Sequence, residues 1–191
     1  APAPAPAPAP AVPAPAPAAP ATAPAPAPTA PAPAAPPESV KAYEIGLQLM
    51  DEGNYQEAIN ELSRSIALDS SRSETFNMRG YALGLSGDHL LAIEDFNQAI
   101  YMDDLISDYY LNRCWSYLNI LLFNESIWDC ESAIELRSSS PWAYSNLADA
   151  HAGMGLYDLA IQYHAEASPG PLDNETIFDR FVDMISQERK G

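Results

Sequence analysis

The stretch SETFNMRGYALGLSGDHLLAIEDFNQAIYMDDLI, residues 73–106, is one complete copy of a motif that recurs on both sides of it. Phe76, Gly80 and Leu83 fall at helical spacing, and Ser86-Gly87-Asp88 punctuates a turn. Ala92, Ile93, Phe96 and Ala99 then resume the helical spacing up to Met102-Asp103. Steps of 34 residues connect Ile59, Ile93, Ile127 and Ile161. The residue before each is small: Ala58, Ala92, Ser126 and Ala160. Two further series run in step, Gly46, Gly80, Cys114, Ala148 and Tyr55, His89, Phe123, Tyr157. A fixed period of this length means stacked copies of one supersecondary unit, each burying its apolar face against its neighbours.

The units align as 39–72, 73–106, 107–140 and 141–168, and each reads as two helices. In the first, Ala42, Ile45, Gly46 and Leu49 lie on one helical face, Glu52-Gly53-Asn54 turns the chain, and Ala58, Ile59, Leu62 and Ile66 belong to the second helix. Gly53 suits the residue just past a helix end. The chain resembles the tetratricopeptide repeat family, whose 34-residue pattern places a bulky residue at position 4 and small residues at 8, 20 and 27. The resemblance covers residues 39–168 and implies an all-α, right-handed solenoid of four helix pairs. The small pairs Gly46/Ala58, Gly80/Ala92, Cys114/Ser126 and Ala148/Ala160 would let paired helices approach closely. Departures are Ala42, small for position 4, Leu121, which replaces the turn glycine, and His151 and His164 at ordinarily apolar positions.

Residues 169–191 are expected to form a capping helix. Pro169-Gly170-Pro171 breaks the preceding helix, and Phe178, Phe181, Val182 and Ile185 fit positions 4, 7, 8 and 11 of the same frame. Arginine replaces the apolar residue of position 7 only twice, at Arg79 and Arg113. Each has an aspartate sixteen residues later, Asp95 and Asp129, on the second helix of its unit. A half-buried bridge within each pair is expected.

Residues 1–37 contain only Ala, Pro, Val and Thr, with sixteen prolines. Proline fixes φ and lacks an N–H, so an extended polyproline II spacer is expected, able to reach on the order of 100 Å. The chain begins inside this tract without an initiator Met, which suggests a processed or truncated product. All 26 acidic residues follow the tract, against nine Lys and Arg, for a net charge of −17. Such a field repels nucleic acid and anionic lipid and would attract a basic partner surface.

No nucleophile elbow, metalloprotease helix, phosphate loop, dinucleotide fingerprint or calcium loop is present. No enzymatic activity, metal or cofactor is expected. His151 and His164 are too few for a metal site and read as a polar lining. Cys114 and Cys130 read as small buried thiols on paired helices, with a disulfide as the minority reading in an oxidising compartment. Asn124-Glu-Ser and Asn174-Glu-Thr match glycosylation sequons, which matter only in a secretory protein.

The resemblance further implies an inner groove lined by set positions of each first helix. Carried onto this chain, these are Tyr43, Leu47 and Met50, then Asn77, Met78 and Tyr81, then Leu111, Asn112, Trp115 and Asn119, then Trp142, Asn146 and Asp149. The candidate site is Tyr43, Leu47, Asn77, Met78, Tyr81, Asn112, Trp115 and Asn146, with Asn112 and Asn146 placed to hold a ligand's backbone. The family's clamp for acidic chaperone tails needs Lys and Arg where this chain has Tyr43, Leu47, Met78, Asp108 and Asn112. The implied function is a protein-interaction scaffold, an adaptor or accessory subunit of a larger complex, binding a protein or peptide such as a basic or apolar helix. The competing expectation is an accessory domain of an enzyme or membrane machine whose active part lies upstream. The long spacer favours a bacterial envelope location, with the cytoplasm as the alternative.

Overall fold

The computed structural model describes residues 37–137 and 140–167. The expected Ala-Pro spacer and the C-terminal capping helix lie outside the described residues. All eight described elements are α-helices: α1 (Pro37–Asp51), α2 (Tyr55–Leu68), α3 (Ser73–Leu85), α4 (His89–Met102), α5 (Ser107–Asn119), α6 (Phe123–Leu136), α7 (Pro141–Gly153) and α8 (Tyr157–Ala167). They pack in chain order as the pairs α1/α2, α3/α4, α5/α6 and α7/α8, and each pair stacks on the next. The first helices also touch one another, α1 with α3, α3 with α5 and α5 with α7. That inner row gives the helical solenoid a concave side.

Close approach within a pair is set by the small residues of the period. A Cβ added to Gly46 would lie 2.7 Å from Leu62 Cγ, and one added to Gly80 would lie 2.8 Å from Phe96 Cε1. Both contacts are too short to tolerate. Leu62 and Phe96 are consequently fully buried, as are Leu147, Cys114 and Cys130. Each large side chain so buried contributes roughly 1.5–3 kcal/mol. Two buried hydroxyls find backbone acceptors across the pairs: Ser65 Oγ donates to the Ser39 carbonyl at 2.8 Å, and Ser126 Oγ to the Cys114 carbonyl at 3.1 Å.

All four intra-pair turns close by the same backbone bond, from Asn54 N–H to Leu49 O, Asp88 to Leu83, Leu122 to Tyr117 and Leu156 to His151. That bond needs a left-handed residue just before the donor. Three turns supply glycine, and the third supplies Leu121 at φ 63°. A leucine there carries strain of about 1–2 kcal/mol.

The two arginines bridge as the sixteen-residue offset predicts. Arg79 Nη2 and Nε donate to Asp95 Oδ1 and Oδ2 at 2.6 and 2.7 Å. Arg113 Nε and Nη2 donate to Asp129 Oδ2 and Oδ1 at 2.6 and 2.7 Å. The structure adds a third partner that the pairing within one unit does not anticipate. Arg79 Nη1 also donates to Ser63 Oγ at 3.1 Å, and Arg113 Nη1 to Asn97 Oδ1. Ser63 and Asn97 belong to the second helix of the preceding unit, so each guanidinium ties three helices together.

Candidate functional site: the concave groove

The inner helices α1, α3 and α5 enclose a depression of about 380 Å³. Leu47 and Met50 from α1, Met78 and Tyr81 from α3, and Leu111 from α5 supply its apolar lining. Asp51, Asp108, Asn77 and Asn112 supply the polar atoms. These positions converge because they recur on the inner face of consecutive first helices. No Lys or Arg lines the depression.

Leu47, Asn77, Met78, Tyr81 and Asn112 of the candidate site are thus brought together, while Tyr43, Trp115 and Asn146 do not line this depression. Tyr43 carries the Arg72 guanidinium over its ring at 4.7 Å, and burial pushes its hydroxyl pKa up. Asn146 is half-buried on α7, one unit further along. Asn77 is nearly inaccessible, and its Oδ1 accepts a 3.0 Å bond from Asn112 Nδ2. One amide of the pair therefore orients the other.

Trp115, expected on the groove row, also packs across a unit boundary. Its ring fills the space left by the missing side chain of Gly84; a Cβ there would meet Trp115 Cζ3 at 2.5 Å. Tyr81 and His89 meet the indole edge-on, with centroids 6.0 and 5.2 Å away. Burial pushes the His89 pKa down, which favours a neutral ring against the indole. Gly84 at the end of α3 was the available signal, since a small residue there admits a large one from the next unit. Trp115→Ala is therefore expected to lower the unfolding free energy by about 2–4 kcal/mol, through lost packing and the cavity left behind. Urea unfolding followed by circular dichroism would measure it, and an unchanged midpoint would return Trp115 to a purely groove-facing role.

The histidines of the fourth pair are satisfied separately. His151 Nδ1 lies 2.8 Å from the Leu147 carbonyl, with its ring against Tyr163, and His164 Nε2 lies 3.4 Å from Asp149 Oδ1. Among the described residues no group of three or more ligating side chains could hold a metal. Cys114 and Cys130 form a disulfide between α5 and α6, which corrects the reading of two free buried thiols. Their Cα atoms are 5.5 Å apart, within bridging range, because they stand where Gly46 faces Leu62 and Gly80 faces Phe96 in the preceding pairs.

Repeated helix pairs, glycine-set close approach and a concave inner row define a helical-repeat solenoid. Residues 73–104 match the tetratricopeptide repeat family model, and the same geometry recurs in the other three pairs. Residues 73–104 are thus a tetratricopeptide repeat, and the chain has the fold of tetratricopeptide repeat solenoids. Its fold is similar to that of MamA, with TM-score 0.64 and 25% identity over 68% of this chain and 70% of that one. It is also similar to the first repeat domain of Spaghetti (RPAP3) bound to the HSP90 peptide SRMEEVD, with TM-score 0.60 and 19% identity over 62% and 94%. The second repeat domain of human RPAP3, in complex with the HSP70 peptide SGPTIEEVD, gives TM-score 0.57 and 24% identity over 59% and 94%. Among curated proteins, 41 residues are 49% identical to the carbamoyl phosphate synthase small chain of Zymomonas mobilis, covering 20% of this chain and 11% of that protein. A 32-residue stretch is 53% identical to the pyrimidine-specific small chain of Bacillus subtilis, covering 17% and 9%. The chain thus spans about a tenth of the length of the curated relatives it matches.

Proposed function

We propose that this protein is a non-enzymatic interaction scaffold, an adaptor or accessory subunit of a larger complex, and that it holds a segment of its partner in the concave groove. The observation that carries this reading is the depression itself. Leu47, Met78, Tyr81 and Leu111 converge there from three helices, beside the Asn77–Asn112 amide pair. Tyr81 remains 36% exposed, where a core residue would be covered. Large apolar side chains gathered on one concave face serve as anchors for an incoming side chain. Two similar solved domains hold peptides, which supports the same use of the fold here.

An oxidising compartment, the bacterial envelope above all, fits the Cys114–Cys130 bridge and the long Ala-Pro stretch. Among the described residues no helix is long and apolar enough to cross a membrane.

A photo-activatable cross-linker placed at position 47, in the lining of the depression, tests the groove. In cells it should join the partner, and mass spectrometry should map the link. Tyr81→Ala in the same background should weaken the link several-fold while leaving the thermal midpoint within a few degrees, since the ring is partly exposed. No link from position 47 would move the interface elsewhere on the solenoid, and equal cross-linking by both proteins would exclude Tyr81 as its anchor.

A further inference from the structure

Resting on the groove as interface, we infer that its occupant is an extended or helical peptide segment with one large apolar side chain flanked by Lys or Arg. The apolar requirement comes from the depression. Its volume of about 380 Å³ is lined by Leu47, Met78, Tyr81 and Leu111, enough for one aromatic or long aliphatic side chain. Pockets of roughly this size suit a small, largely apolar group fixed by a few polar contacts. Asn112 is the polar contact. One N–H of its side-chain amide donates to Asn77, and the side-chain oxygen serves as acceptor for the occupant's backbone.

The basic requirement comes from the charges around that pocket. Asp51 and Asp108 stand among its lining residues, and no cation does. Asp108 reaches Arg137 only at 3.8 Å, with side chains 61% and 66% exposed. Such a pair contributes roughly 0–1 kcal/mol and yields readily to a better-placed cation. Residues 37–167 hold 21 acidic side chains and six basic ones. Four of the six are already engaged elsewhere: Arg79 and Arg113 in buried bridges, Arg64 with Glu61, and Arg72 over Tyr43. The surrounding field is therefore negative with little local compensation, and it attracts basic segments and repels acidic ones. This reverses the preference suggested by the acidic peptides SRMEEVD and SGPTIEEVD bound to the similar domains. It follows from this chain's own lining residues.

The test uses the full chain and three fluorescein-labelled synthetic peptides, read by anisotropy. The first has a central Phe flanked by lysines, the second replaces the lysines with glutamates, and the third replaces the Phe with Ser. The Lys–Phe peptide should bind at least about tenfold tighter than either of the others, a difference of about 1.4 kcal/mol. Raising the salt should erode that advantage, because surface charges are screened over about 10 Å or less. Asp51→Asn combined with Asp108→Asn should remove most of the charge preference and leave the Phe dependence. Tyr81→Ala should remove the Phe dependence and leave the salt dependence. Circular dichroism melts of both variants exclude unfolding as the cause. Equal or tighter binding of the Glu–Phe peptide, lost in Tyr81→Ala, overturns the basic occupant and leaves the groove as the interface. Equal binding of the Lys–Ser peptide overturns the apolar anchor. No binding of any peptide, with cross-links from position 47 also absent, overturns both the occupant and the groove.

Discussion

Asp129→Ala is expected to lower the unfolding free energy by about 3–5 kcal/mol, the cost of stranding a buried charge. Asp129 is fully buried, and the Arg113 side chain is only 12% exposed. Removing the carboxylate leaves the guanidinium with Asn97 and the faces of Tyr110 and Tyr117, whose centroids lie 5.7 and 5.8 Å away. Water cannot replace the lost oxygens without opening the helix pair. Burial raises the Asp129 pKa, and the hydrogen bonds and charge of Arg113 only partly offset it. Burial pulls the other way on Arg113, and Asp129 outweighs it, leaving the guanidinium above its ordinary value. Both charges are taken out of water, so the bridge carries a desolvation cost. A double replacement, Arg113→Leu with Asp129→Leu, should therefore fall within about 1–2 kcal/mol of the parent. Asp95→Ala should cost less than Asp129→Ala, about 1–3 kcal/mol, because Arg79 is 25% exposed and can turn to water. Urea unfolding of all four proteins measures the series. An Asp129→Ala variant within about 1 kcal/mol of the parent would sink the argument.

The contrast between the two bridges and Trp115 shows what a repeat sequence carries. Within one unit, position determines geometry: a residue on the first helix and one sixteen places later face each other in every copy. The Arg79–Asp95 and Arg113–Asp129 pairs follow from that alone. So do the contacts of Gly46 with Leu62 and Gly80 with Phe96. Contacts between units depend on how far each copy rotates on the last, and the period does not state that rotation. Ser63, Asn97 and the Asn77–Asn112 bond all lie across unit boundaries, and none was anticipated. The same gap hid the contact of the Trp115 ring with Gly84 of the unit before. The groove was legible as a row of positions. Which members share one depression required the stacking: Leu47, Met78, Tyr81 and Asn112 do, and Tyr43 and Asn146 do not.

Reducing the Cys114–Cys130 bridge is expected to cost about 3 kcal/mol of stability, the value for a closed loop of about fifteen residues in the chain-entropy account. The two cysteines are sixteen residues apart and join α5 to α6 in the same pair that holds the Arg113–Asp129 bridge. Both are fully buried. A reductant cannot reach the sulfurs while the pair is closed, so reduction of the native protein should be slow and should quicken with mild denaturant. Once the bridge is reduced, the two facing positions still accept thiols, because Cys fits as a small apolar side chain. The fold should persist with a lower midpoint. Protein prepared under oxidising conditions should have a mass two hydrogens below the dithiol form and should resist thiol labelling until it is unfolded. The double variant Cys114→Ala with Cys130→Ala should match the reduced protein in its urea midpoint, which separates the loss of the cross-link from any effect of the reductant. Full thiol labelling of the oxidised, folded protein would refute the bridge. An unchanged urea midpoint on reduction would show that the adjoining salt bridge and helix packing already hold α5 on α6 without it.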